Sequence, residues 1–245
     1  IDEKVNYDNC DSSLIYKLRK YNMKKLILTI VASLALTGAS YAGGFGVGVA
    51  GSLAQVEASG SETTTAGDIA GGAANTNSSS VDALAGIASV FLDYEFDSGL
   101  VVGLSHVPGT ADVSDKTHSR TETAQGVSGT DASGSVTRTA DAEIENFNTL
   151  YIEYPIDNMF VKLGYAQLDV NTKENAVTDS GTYGNATLDG YSLGAGVNGS
   201  IGDYFTKTSV EYTDFEDLKL TSTTSNTIKA DLDVLEFKFA VGKRF

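Results

Sequence analysis

Ser105 and His106 are adjacent, and a serine beside an imidazole is the start of a nucleophile–base pair. Neighbours in an extended chain point to opposite faces, so on a strand these two side chains diverge. The other histidine, His118, falls in a Ser/Thr-rich stretch. A Ser-His-acid arrangement is therefore unsupported, and no catalytic residue is expected. Gly46–Gly51 and Gly194–Gly199 match the GxGxxG pattern. That pattern cradles a dinucleotide only between a strand and a helix. Both runs lie inside period-two segments, so they read as small residues packing a narrow interior, and no cofactor is expected. Acids cluster at Asp214, Glu216 and Asp217, and again at Asp231 and Asp233. Without an EF-hand loop or a calcium-binding repeat, they predict weak, exchangeable divalent cations and no dedicated metal site.

The charges that matter more are spread along the chain. Asp93, Glu95, Glu153, Glu211 and Glu236, with Lys162, Lys207, Lys238 and Arg244, all fall on one phase of segments that alternate with period two. The opposite phase is apolar: Phe45, Val47, Val49 and Leu53; Val90, Leu92, Tyr94 and Phe96; Leu150, Ile152 and Tyr154; Val161, Leu163 and Tyr165; Leu235, Phe237, Phe239 and Val241. Eight such segments occur. Three short turns join them, at Asp97-Ser98-Gly99, Asp157-Asn158 and residues 200–203. Four long Gly/Ser/Thr/Asp/Asn-rich stretches alternate with the turns, over 57–82, 108–146, 169–189 and 214–233. The long stretches read as loops, and 108–146 reads as able to extend its flanking strands as a hairpin. Each segment has about the 9–11 residues that cross a bilayer as a tilted strand.

Alternation alone leaves two arrangements open, a soluble sandwich with apolar faces inward and a membrane barrel with apolar faces outward. Aromatic placement favours the barrel. Phe45, Tyr94, Phe96, Tyr154, Tyr204 and Phe245 fall at turn-side ends of the apolar phase, and Tyr165, Tyr191 and Tyr212 at loop-side ends. Two aromatic belts mark the two interfaces of a membrane barrel. The fold expected is all-β: an eight-stranded antiparallel up-and-down transmembrane β-barrel. Eight strands leave a lumen that side chains fill. The five acids and four bases named above should then be ion-paired in it, because an unpaired buried charge is costly.

Before these segments, Met23-Lys24-Lys25, the apolar run 26–36 and Thr37-Gly38-Ala39-Ser40-Tyr41-Ala42 form a secretory signal peptide over 23–42, with cleavage expected after Ala42. Residues 1–22 read as an upstream or mis-assigned extension. The single cysteine, Cys10, lies there, so residues 43–245 need no disulfide. Those residues hold 11 basic against 28 acidic side chains, a net charge of −17. Such a surface excludes nucleic acid as an expected partner. Most of the excess is in the four long stretches, at −4, −4, −3 and −3.

Residues 43–245 resemble the small outer-membrane β-barrels of the opacity-protein and outer-membrane-protein-A transmembrane-domain type. The residues that carry the resemblance are Leu150-Tyr151-Ile152-Glu153-Tyr154-Pro155-Ile156, Val161-Lys162-Leu163-Gly164-Tyr165 and the terminal run 235–245. The resemblance implies a cell-outer-membrane location and contact with outer-membrane lipids and lipopolysaccharide; the oligomeric state is left open, with a monomer expected. It also implies that Phe237, Phe239, Val241 and Phe245 form the signal read by the outer-membrane assembly machinery. Lys243 departs from that pattern, where an aromatic is commoner. Three functions stay open: a structural or surface-interaction barrel with acidic outer loops, a narrow porin-like channel, and a lipid A-modifying enzyme. The fold alone does not choose among them.

Overall fold

A computed structural model describes residues 43–64, 75–112, 118–123, 135–174, 182–223 and 225–245. The expected signal peptide, the extension before it and Cys10 lie outside the described residues.

The strands are β1 (Gly44–Thr64), β2 (Asn75–Glu95), β3 (Val101–His106), β4 (Thr110–Asp112), β5 (His118–Thr123), β6 (Ser135–Ile156), β7 (Met159–Glu174), β8 (Ala186–Ile201), β9 (Tyr204–Phe215), β10 (Leu218–Thr221) and β11 (Thr227–Arg244). They pair antiparallel in the order β1-β2-β3-β6-β7-β8-β9-β11. β11 returns to β1, with Val49 opposite Val241 and Leu53 opposite Phe237, so the sheet closes into a ring of eight. β4 and β5 follow β3 along β6, and β10 follows β9 along β11. The three tight turns lie at one end. All three use a positive backbone angle, at Gly99 (φ 79°), Asp157 (φ 54°) and Gly202 (φ 60°), and in the first the Gly99 amide donates to Phe96 O at 2.8 Å.

The two faces meet opposite surroundings. Val47, Val49, Leu53, Leu163, Leu193, Val210, Phe237 and Phe239 stand exposed on the outer wall. Asp93, Glu153, Lys162, Lys207, Glu211 and Glu236 are buried inside it. In water, so wide a band of apolar side chains would be a severe liability. In lipid it is the expected surface of a membrane barrel. The chain is an eight-stranded antiparallel transmembrane β-barrel.

The strands run further than the sequence pattern indicates. Much of the stretch 57–82, expected as a loop, is a ladder in which β1 and β2 stay paired from Glu57↔Asp82 to Thr64↔Asn75. β7 likewise continues past residue 169 to Glu174, and β11 begins at Thr227. In this outer tier the hydropathy of the two faces inverts. Ala54, Ala166, Leu168, Val170, Leu188, Phe215, Leu232 and Val234 form a buried apolar core inside the ring. Their neighbours Gln167, Asp231 and Asp233 take the other phase. A β-bulge between Glu145 and Asn148, with Asn146 at φ 55°, accompanies the change of phase on β6. Tyr151 and Glu153 point inward below it, Ile144 packs on the apolar core above it, and Phe147 within the bulge packs on the same core.

Candidate functional site: a charged lumen under an apolar cap

Within the membrane tier the lumen holds two ion clusters. Nearer the turns, Lys207 Nζ on β9 lies 3.0 Å from Asp93 Oδ2 on β2 and 2.6 Å from Glu153 Oε2 on β6. Arg244 on β11 takes the other side of Asp93 at 3.2 Å and also binds Glu95. Phe205 walls this cluster: its ring centroid is 4.6 Å from the Arg244 guanidinium carbon and 5.4 Å from Lys207 Nζ. Those are cation–π distances.

Nearer the loops, Glu211 on β9 accepts from Lys162 on β7 with both oxygens at 3.0 Å, and from Lys238 on β11 at 3.1 Å. Lys238 also reaches Glu236 at 3.0 Å. Hydroxyls complete the carboxylates' bonding: Ser209 donates to Glu211 at 2.8 Å and Ser52 to Glu236 at 2.7 Å. The Lys162 ammonium sits 4.2 Å from the Tyr151 ring centroid. All nine charged residues on the inward phase thus take part in the two clusters, and most bonds join strands that are not neighbours. Buried charges in apolar surroundings are tolerated only with such dense pairing.

A small cavity of about 30 Å³ lies between the clusters. Ser89, Ser105, Ser209, Glu153, Lys162 and Lys207 are among its lining residues. It has room for one or two waters. The narrowness of the lumen shows in the glycines of the two GxGxxG runs. A Cβ on Gly48 would stand 2.4 Å from the Phe91 ring, and one on Gly196 2.5 Å from the Phe160 ring. Each aromatic lies across a bare patch of backbone on the next strand, which is a packing role.

The aromatic residues are arranged as follows. Phe45, Tyr94 and Phe96 form an edge-to-face row, with centroids 5.1 and 5.0 Å apart. Tyr94 takes the outward phase yet is only 5% exposed, because its two neighbours cover it. Tyr154, Tyr204 and Phe245 stand exposed on the turn side. Tyr165 and Tyr191 pair at 5.8 Å on the loop side, and the Tyr212 hydroxyl donates to Asp233 at 2.8 Å. Phe237, Phe239 and Phe245 are exposed on the outside of the last strand and Val241 is half-buried there.

Ser105 and His106 diverge. Ser105 lines the internal cavity, while His106 Nδ1 lies 2.9 Å from Asn148 Oδ1. Among the described residues no group of three or more His, Cys, Asp or Glu is arranged to hold a metal ion. The apolar cap is the feature that the sequence reading missed. Its signal was present: Leu168 and Val170 alternate with Asp169, and Leu232 and Val234 with Asp231 and Asp233. The period is kept and only its phase is reversed.

No protein-family model matches the chain. No curated protein matches it either. Ail, the attachment invasion locus protein of Yersinia pestis, solved with the heparin analogue sucrose octasulfate, aligns over 80% of this chain and 98% of its own, at 12% identity and a TM-score of 0.36. OprG, an outer membrane protein from Pseudomonas aeruginosa, aligns over 82% and 96%, at 12% identity and a TM-score of 0.43. The outer membrane protease OmpT from Escherichia coli aligns over 85% and 100%, at 8% identity and a TM-score of 0.46.

Proposed function

We propose that this chain is a sealed barrel of a bacterial outer membrane whose role is structural or surface-interacting. The observation that carries this reading is the double closure of its interior. Two ion clusters fill the membrane tier, and an apolar core that includes Leu168, Phe215 and Val234 fills the tier above them. A solute would have to break buried ion pairs and then part a close-packed core. The acidic outer tier is then the part that meets the surroundings. Export through the signal peptide at 23–42 and assembly through Phe237, Phe239, Val241 and Phe245 belong to the same reading. So do outer-membrane lipids and lipopolysaccharide along the wall, weak divalent cations at the rim and a monomeric state.

A second reading is a narrow channel, and the cavity of about 30 Å³ between the ion clusters is the observation that favours it. Ion conductance of the mature barrel in planar bilayers, with insertion confirmed by protease protection, separates the two. Silence supports the sealed barrel; a steady open-state current replaces it with the channel.

A further inference from the structure

The ring of eight is complete near the turns and incomplete above. β2 pairs with β3 only from Glu95↔Val101 to Val90↔His106. Beyond that point Val107, Pro108 and Gly109 interrupt the rising stave, with Gly109 at φ 93°. The stave resumes as β4 and β5, which pair with β6 alone. Among the described residues no strand pairs with the β2 edge over residues 78–89, although β1 holds its other edge throughout. A seam therefore runs up the outer part of the wall, with a strand edge on either side.

Natural sheets guard such edges with lysine, proline or a bulge. Residues 78–89, Ser-Ser-Ser-Val-Asp-Ala-Leu-Ala-Gly-Ile-Ala-Ser, contain neither lysine nor proline and a single charge, Asp82. The edge presents backbone donors and acceptors at strand spacing. An alkyl chain from the membrane cannot satisfy them, whereas an extended peptide can. The surroundings specify the side chains of that peptide. On the outward phase Asp82, Glu57, Asp233 and Asp214 lie side by side across four adjacent strands. On the inward phase Val81, Ala83 and Ile87 are half-buried and apolar.

We infer that the seam is a strand-addition site for an extended peptide that alternates basic and apolar residues. Its backbone pairs with β2, its basic side chains face the acidic row, and its apolar side chains meet Val81, Ala83 and Ile87. The inference rests on the transmembrane reading and goes beyond the proposed role by assigning a partner chemistry.

The test uses the mature barrel in neutral phosphatidylcholine vesicles, with folding established first by its heat-dependent gel shift. Absence of that shift would count against the barrel itself, separately from the seam. The probe is a short fluorescent peptide alternating lysine and valine. We expect saturable binding. Methylation of alternate backbone amides, which removes donors and keeps charge, should weaken it by about tenfold or more. Asp82→Lys should weaken it similarly, while Asp203→Lys at the turn end should not. Equal binding of the methylated peptide, or no binding at all, overturns the inference. So does displacement of the peptide by a fluorescent alkyl probe, which would assign the seam to an apolar chain.

Discussion

Lys162 and Glu211 meet across the lumen at 3.0 Å although their strands, β7 and β9, are separated in the wall by β8. The bond ties non-adjacent staves together inside the ring. Glu211 also holds Lys238, and Lys238 holds Glu236, so removing the two lysines leaves two buried carboxylates, Glu211 and Glu236, without a cation. Replacing Lys162 and Lys238 together by Met should cost about 3–5 kcal/mol. Urea unfolding of the bilayer-inserted barrel reads this directly. A barrel that kept its stability and gained conductance selectivity would show that these lysines line a path.

The glycines of the GxGxxG runs separate packing from cofactor binding. Gly48→Ala drives a methyl into the Phe91 ring, which stands 2.4 Å from the new carbon, and should cost about 1–3 kcal/mol. Gly51→Ala, in the same run, meets nothing within 4 Å and should stay within about 0.5 kcal/mol. Comparing the two midpoints in one urea series checks this. Equal effects would remove the steric explanation.

Much of the fold was legible because each strand of the membrane tier has one apolar face and one small or charged face. Val161-Lys162-Leu163-Gly164-Tyr165 shows its strand and both its faces. What was not legible follows from two physical facts. Above the membrane the solvent outside changes from lipid to water, so the same period continues with its phase reversed, and Leu168 and Leu232 point inward where Leu163 and Leu235 point outward. The strand then resembles a loop, because its outward positions fill with Ser, Thr, Asn and Asp. The ion partners were also hidden, since the nine charged positions say nothing of ring geometry. That Lys207 joins Asp93 and Glu153 becomes visible only when β2, β6 and β9 close round one axis.

The apolar cap makes a prediction about two leucines on one strand. Leu168, 2% exposed in the cap core, should cost about 2–5 kcal/mol on replacement by Ala. Leu163, 60% exposed on the lipid-facing wall, should cost far less, because lipid replaces the lost contacts. Hydrogen exchange should show the Leu168→Ala loss concentrated in the outer ends of β7 and β8.

Glu143 lies in the outer tier, where Thr110 bonds its carboxylate and Lys173 approaches to 2.9 Å. The Thr110 hydrogen bond first, and then the Lys173 bond, hold its pKa below the ordinary carboxylate value of 4.5. A lowered folded-state value stabilises the paired outer ends of β6 and β7 above the unfolded pKa, and that contribution is lost as pH falls through the folded one. Exchange protection of the outer β6–β7 ladder should therefore be flat near neutrality and decline below about pH 4.5. Glu143→Gln should remove that part of the decline.

The most direct test of the barrel and its two opposed faces is fluorescence quenching by lipids carrying a nitroxide on the acyl chain. The chain contains no tryptophan, so single Trp substitutions at Leu163, Phe237 and Leu168 report without background. The account predicts strong quenching at Leu163 and Phe237 and little at Leu168. Strong quenching at Leu168 with none at Leu163 would contradict it, because the apolar wall would then face inward and the chain would not cross the membrane as this barrel.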